Sequence, residues 1–308
     1  MSDAGSADRG FVETREYRRF VEFCEACLDY RYVGLCYGAP GVGKTLSGRR
    51  YADWDRWSAS DVRRLPDGAF ESGWPADTAF YTAPVVNAPR GVQIEIEKLR
   101  RRLHEIALEP LRRAYRDELD GLMETYEVAR ADYFDGNWFF PDRPDPPKKG
   151  YADASTRLAE KEKAIADPTR LIVIDEADRL KISSLEAVRD LFDQSDIGLI
   201  LIGMPGIEKR MARYPQLYSR IGFVHEFRPL GAKDIRLLLD TGWRPPGIAT
   251  LPIDDDALSS IIRITGGNFR LLQRMLTQTE RVADINGIAA IDQPVVDAAR
   301  ESLVIGRL

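Results

Sequence analysis

Histidine and cysteine are both scarce in this chain, at two and three residues out of 308. A structural zinc site needs about four such ligands brought together, and His104 and His225 lie far in sequence from Cys24, Cys27 and Cys36. Three thiols cannot close a complete disulfide set, which fits a reducing compartment. Long apolar runs are missing too. None approaches the ~20 residues that span a bilayer, and Met1 to Gly10 is polar, unlike a signal peptide. A cytoplasmic location with no membrane partner is therefore expected. Neither charge sign dominates: 44 Lys and Arg face 49 Asp and Glu, for a net charge of −5. That argues against a globally basic nucleic-acid coat but leaves a local basic face open. No internal repeat at solenoid spacing is present.

What remains is a globular composition, 44% hydrophobic and 30% charged, long enough for one large domain or two modest ones. One stretch organises it. Gly38-Ala39-Pro40-Gly41-Val42-Gly43-Lys44-Thr45 fits G-x-x-x-x-G-K-[S/T], the loop that wraps a nucleotide's phosphates. Glycines let the backbone turn tightly enough for several N–H groups to converge on phosphate oxygens. Lys44 supplies a point charge at the β- and γ-phosphates, and Thr45 offers a hydroxyl to Mg²⁺. Tyr32 to Tyr37, just before, reads as a strand, and Leu46 to Asp55 as a helix whose N-terminus faces the anion. Strand, loop and helix together are the context that the motif requires.

Leu171-Ile172-Val173-Ile174-Asp175-Glu176 reads as a strand buried on both faces, ending in two acids. In an open α/β sheet that end borders the ligand crevice. Asp175 is placed to hold Mg²⁺ through water, and Glu176 to act as general base toward the attacking water. Thr78 to Val86 reads as another strand, broken late by Pro84, and Gly198 to Pro205 as a further buried strand with its exit turn. Strands alternating with helices predict a doubly wound parallel sheet.

Around this frame, residues 11–30 read as an amphipathic helix. Its Cys24-x-x-Cys27 is either half a metal site or a pair of buried apolar thiols. Trp57 to Asp77 reads as a loop. Residues 91–165 predict one or two long helices, with Pro110 at a break or in a first turn. Their clusters Arg100-Arg101-Arg102, Arg112-Arg113 and Arg116 are either a solvated face of intrahelical ion pairs or a phosphate-contacting face. Phe134 to Gly150, rich in proline and aromatics, is either a partner surface or packing against those helices. Arg210, Arg213 and Arg220 follow the Gly198–Pro205 strand, where a cation can be offered to a neighbouring subunit's γ-phosphate. From Arg228 onward four helices are expected, at 232–240, 254–264, 268–283 and 294–303. Arg270 falls in the first turn of the third, where a cation opposes the helix dipole, so a role at the nucleotide is expected of it.

As a set, the phosphate loop, the acidic strand end, the arginine segment and the helical cap with Arg270 resemble an AAA+ ATPase. The resemblance covers roughly residues 11–285. It implies a P-loop NTPase of α/β class, a doubly wound parallel sheet with a C-terminal all-helical lid. Its parts would be an N-terminal helical segment (1–30), a nucleotide-binding domain (31–227) with a helical insertion at about 91–165, and the lid (228–308). The implied nucleotide contacts are Gly38, Pro40, Gly41, Val42, Gly43, Lys44, Thr45 and Leu46, with Arg270 as lid sensor. Thr45 and Asp175 would serve the metal, Glu176 would be the catalytic base, and Arg220 would be a catalytic finger acting in trans. ATP and Mg²⁺ are the implied cofactors.

Within AAA+, residues 174–180 (IDEADRL), 199–211 (LILIGMPGIEKRM) and 214–230 (YPQLYSRIGFVHEFRPL) are similar to the helper ATPases of DNA transposition, the TniB/TnsC group, with MuB and ExeA-type proteins as further relatives. That likeness implies a homo-oligomeric ring or filament on double-stranded DNA, working with a DDE transposase and a target-selector protein. The alternatives are an AAA+ regulator or loader of protein partners, or a nucleotide-gated signalling switch. One departure stands out. Such proteins place a polar residue at the end of the fourth strand, and here that end is Gly203-Met204-Pro205, leaving Gln194 or Ser195 as substitutes.

Overall fold

Five short apolar runs become five parallel strands. The computed structural model describes residues 11–58, 76–134, 149–243, 245 and 251–303. Most of the two stretches expected to be irregular, 57–77 and 134–150, lies outside them. The strands are β1 (Val33–Tyr37), β2 (Thr78–Thr82), β3 (Leu171–Asp175), β4 (Gly198–Gly203) and β5 (Ile221–Glu226), in the order β2-β3-β4-β1-β5. Side chains in a strand alternate between faces, and β3 shows the consequence. Ile172 and Ile174 join Leu35, Leu199 and Leu201 in one core cluster. Leu171 and Val173 join Cys36, Ile200 and Ile202 in the cluster on the other face. Both faces are covered, so β3 and β4 are buried along their whole length. β5 is an edge strand and alternates between half-buried and exposed.

Helix α1 (Arg15–Tyr30) contributes Phe20, Phe23, Cys24 and Cys27 to the second cluster. It begins four residues later than the expected start, because Thr14 caps it: the Thr14 hydroxyl accepts from the Tyr17 amide at 3.2 Å. All three cysteines are buried, and burial pushes the Cys27 thiol up to about 12. Of the two readings of the Cys-x-x-Cys pair, the burial supports apolar thiols. After the phosphate loop come α2 (Lys44–Tyr51) and α3 (Trp54–Ser58).

Between β2 and β3 the chain makes α4 (Pro89–Phe134) and α5 (Lys149–Ala164). At 46 residues, α4 runs about 69 Å. Pro110 neither breaks it nor starts it; the helix continues through the proline. Buried Leu103, Ile106 and Leu108 hold that stretch against the domain, which offsets the missing N–H. The ion pairs Arg157–Glu118, Arg112–Glu162 and Arg100–Asp167 step backwards along the chain, so the segment 149–167 returns antiparallel to α4. These pairs also answer the question of the basic clusters. Arg113 and Arg116 share the buried Glu109 at 3.0 and 3.1 Å, Arg101 meets Glu97, and Arg102 donates to the Trp57 carbonyl at 2.6 Å. The clustered arginines of α4 are engaged within the chain.

The remaining sheet-side helices are α6 (Ile182–Asp193), α7 (Ile207–Met211) and α8 (Pro215–Tyr218). Beyond β5 lie α9 (Ala232–Asp240), α10 (Asp255–Thr265), α11 (Phe269–Ile285) and α12 (Gln293–Glu301). They enclose their own apolar cluster, built on Ile235, Leu238, Ile261, Leu272, Met275 and Val296.

Candidate functional site

The loop between β1 and α2 takes its shape from its glycines. Gly41 and Gly43 sit at φ of 80° and 112°, a region that a side chain disfavours. A Cβ on Gly38 would lie 2.3 Å from the Phe227 carbonyl oxygen. Lys44 is buried, and its Nζ donates to the carbonyls of Gly38 at 2.6 Å and Ala39 at 2.9 Å. Burial lowers its pKa, while Cys36, Asp175, Glu176 and Asp178 act to raise it. Pro40, Thr45 and Leu46 are exposed, and Val42 is buried beneath them.

Asp175 closes β3 within reach of this loop and is hydrogen-bonded to the Thr45 side chain. Only 3% of Asp175 is exposed, and burial raises its pKa, against the Thr45 hydrogen bond that lowers it. Its Oδ2 has no hydrogen-bond partner among the described residues. A buried carboxylate oxygen without a donor, beside a threonine hydroxyl, is the hard-oxygen pair that Mg²⁺ accepts. The residues present therefore fit that ion. Glu176 follows with φ of 54°, a left-handed geometry costly for a residue with a side chain. Its carboxylate stands 3.4 Å from Arg179.

The end of β4 lies next to this acidic end. Gly203 pairs with Tyr37 of β1, and the Met204 amide donates to Asp178 Oδ1 at 3.1 Å. A Cβ on Gly203 would meet that same oxygen at 2.9 Å. Asp178 is thus the polar side chain at the position where sequence reading found none. Gln194 and Ser195 do not substitute. They follow α6 and precede β4, on the opposite edge of the sheet from Glu176. Arg210 donates to the carbonyls of Asp178 and Leu180 and so braces the same turn.

Arg220 immediately precedes β5, and its carbonyl accepts from Val33 at the start of β1. It therefore sits at the amino ends of the strands, opposite the carboxyl ends where its own phosphate loop lies. Its guanidinium grips Asp193 with two nitrogens, one contact at 2.7 Å, and this bond holds the Asp193 carboxyl below its usual range. Arg213 is exposed and has no ion-pair partner among the described residues.

From the other side the helical unit reaches over the loop. The Arg270 amide donates to the Gly41 carbonyl at 2.9 Å. Asn268 Nδ2 donates to the Pro40 carbonyl at 2.8 Å, while Asn268 Oδ1 caps α11 through the Leu271 amide. The Arg270 side chain is exposed beside the loop. Below lies a small apolar recess, lined by Phe11, Val12, Tyr17, Val42, Phe227, Leu230, Trp243 and Phe269 among others. Trp243 and Phe269 sit 5.2 Å apart, and Phe11 and Tyr17 4.7 Å apart. Sequence reading missed this recess. Its walls come from four separate stretches of chain, none with a local signal beyond hydrophobicity.

A parallel sheet, a phosphate loop after β1, acids ending β3 and a helical cap define a P-loop nucleotide-binding protein. A family model described as an AAA domain matches residues 28–211, and the chain belongs to that family. It is 37% identical to a Staphylococcus aureus protein described as a potential ATP-binding protein, over 97% of this chain and 98% of that one. Among solved structures, Cdc6p from Pyrobaculum aerophilum is similar with a TM-score of 0.55 at 16% identity, covering 98% of this chain and 71% of that one. The Aeropyrum pernix ORC1 protein, solved in complex with DNA, gives 0.51 at 18% identity, over 96% and 67%. Thermotoga maritima RuvB, a Holliday junction branch migration motor, gives 0.51 at 14% identity, over 96% and 71%. These likenesses carry the fold. No helix among the described residues is long and apolar enough to cross a membrane.

Proposed function

We propose that this protein binds and hydrolyses ATP, assembles with copies of itself on double-stranded DNA, and helps a DDE transposase engage its target. The observation that carries the ATPase reading is the meeting of Lys44, Thr45 and the buried Asp175, whose Oδ2 has no hydrogen-bond partner among the described residues, at the carboxyl ends of the strands, beside a loop that the Arg270 amide contacts. The 37% identical relative bears a matching description. In this reading the adenine base enters the apolar recess. Gly38 to Leu46 wrap the phosphates, and Lys44 exchanges its loop carbonyls for phosphate oxygens. Thr45 and Asp175 would hold Mg²⁺, which would supply charge neutralisation on the triphosphate. Glu176 takes the proton from the attacking water, and Arg270 reaches the nucleotide from the lid. Arg220 lies at the amino ends of the strands, so it serves a neighbouring subunit's site after releasing Asp193.

The transposition role rests on the likeness of residues 174–180, 199–211 and 214–230 to TniB/TnsC-type helpers. A second reading, a regulator of protein partners, gains from the net charge of −5 and from the ion-paired arginines of α4. Isothermal titration with ATP, followed by sizing with ATP and duplex DNA, separates the two. Wild type should bind ATP and grow in mass only when both are present, Lys44→Ala should not bind, and Glu176→Gln should bind without turnover. A wild-type protein that stays monomeric with ATP and DNA would sink the DNA-assembly reading.

A further inference from the structure

Helix α11 buries Leu272, Met275, Leu276, Thr279 and Ala283 against the other lid helices. Its opposite side presents Arg270, Arg274, Thr277 and Arg281, all exposed. At about 100° per residue these four fall within an arc of about 60°, one narrow stripe along the helix. Arg274 and Arg281 are about 10 Å apart along the axis, and Arg270 and Arg281 about 16 Å.

The stripe differs from the basic clusters of α4 in having no ion pair among the described residues. On α4 the arginines of the clusters are engaged by acids or a carbonyl. On α11, among the described residues, none of the three arginines has an ion-pair partner, and Asp284, three residues beyond Arg281, forms no pair with it. Like charges aligned this way repel, so the surface is arranged for anions from outside. The span exceeds what one phosphate can bridge, and a row of cations on one straight helix matches a row of anions. Thr277, whose hydroxyl donates to the Gln273 carbonyl, keeps its oxygen on the same stripe.

We propose that Arg274 and Arg281 contact successive backbone phosphates of double-stranded DNA, and that α11 thereby links DNA contact to the nucleotide site. The link is built in: the first turn of α11 is bonded to the phosphate loop through the Arg270 amide to Gly41 and Asn268 Nδ2 to Pro40. A Cβ on Gly41 would stand 2.9 Å from the Arg270 Cβ, so helix and loop are in close contact. DNA that shifts α11 shifts the loop carrying Lys44. The assignment rests on the DNA reading above and gives it a surface.

The test is fluorescence anisotropy of a short labelled duplex of arbitrary sequence, titrated with salt in the presence of ATP. Arg274→Gln/Arg281→Gln should bind roughly 10- to 100-fold more weakly at low salt. Its slope of log K against log salt should be shallower by about two, near one for each lost phosphate contact. Arg274→Lys/Arg281→Lys should keep the wild-type slope, and all variants should bind ATP alone as wild type does. Because neither arginine has an ion-pair partner among the described residues, circular dichroism and melting should not change. Wild-type affinity and slope in the Gln variant would overturn the assignment while leaving the DNA reading standing. A loss confined to a polyglutamate probe, with duplex binding intact, would also overturn it and point to an acidic protein partner. A wild-type protein that binds no duplex at all would bring down the DNA reading and this assignment together.

Discussion

Asp175 shows the conflict between function and folding in one side chain. It is buried, and burial raises its pKa, outweighing the Thr45 hydroxyl, the Glu176 backbone amide and the Lys44 charge that act to lower it. A carboxyl whose folded pKa lies above its unfolded value stabilises the fold only while protonated. That contribution is complete below the unfolded pKa and is lost as pH rises through the folded one. At neutral pH the ionised group is therefore a burden on the apo fold. Asp175→Asn should melt at a higher temperature than wild type at pH 7 without nucleotide. The difference should vanish as pH falls below the usual carboxylate range, as read by scanning fluorimetry. The same variant should lose Mg²⁺-dependent nucleotide binding. A variant that melts lower than wild type at neutral pH would show that the carboxylate has a partner in solution. Glu176 carries a second local cost in its left-handed backbone.

At the scale of elements, two helices invite separate tests. Asn268 does two jobs at the start of α11: its oxygen caps the helix and its amide nitrogen holds the Pro40 carbonyl. Asn268→Asp keeps the cap and loses the second bond. It should retain the melting temperature yet bind nucleotide several-fold more weakly in calorimetry. Asn268→Ala loses both and should also lose about 1 kcal/mol of stability in chemical denaturation. Equal nucleotide affinity in all three proteins would show that the lid contact does not shape the phosphate loop. In α4, Pro110 leaves the Ile106 carbonyl without its helical donor. Pro110→Ala restores that bond and should stabilise the protein by about 1 kcal/mol or more. A loss of stability instead would mean that the packing of Leu103, Ile106 and Leu108 depends on a bend at the proline.

For the whole molecule, the decisive geometry is the separation of Arg220 from the phosphate loop by the length of the sheet. Lys44, Asp175 and Glu176 lie at the carboxyl ends of the strands, and Arg220 lies at the amino end of β5. In the proposed reading, a subunit whose own Arg220 faces away needs a second copy to complete its site. Arg220→Ala and Glu176→Gln subunits should each be inactive alone. Mixed, they should recover a part of wild-type turnover, measured as phosphate release, because some Arg220→Ala subunits receive an intact arginine from a neighbour. Absence of any recovery would move the role to Arg213, which is exposed and has no ion-pair partner among the described residues, while Arg210 is committed to the carbonyls of Asp178 and Leu180.

The phosphate loop, the acidic end of β3, the alternation of strand and helix and the helical cap were all legible in the residues. Each is specified locally: glycines where the backbone turns left-handed, apolar runs where a strand is covered on both faces, a helical period where one side is buried. The tertiary structure decided what depends on residues distant in sequence. It engaged the clustered arginines of α4 with acids on α4, on α5 and just beyond it, and with the Trp57 carbonyl, and carried the helix through Pro110. It placed Asp178 beside the end of β4 and Gln194 and Ser195 across the sheet from it. It also gathered Phe11, Phe227, Trp243 and Phe269 into one recess. Charge pairing, burial and pocket formation are properties of neighbours in space, and a linear pattern does not reveal which residues become neighbours until the chain has folded.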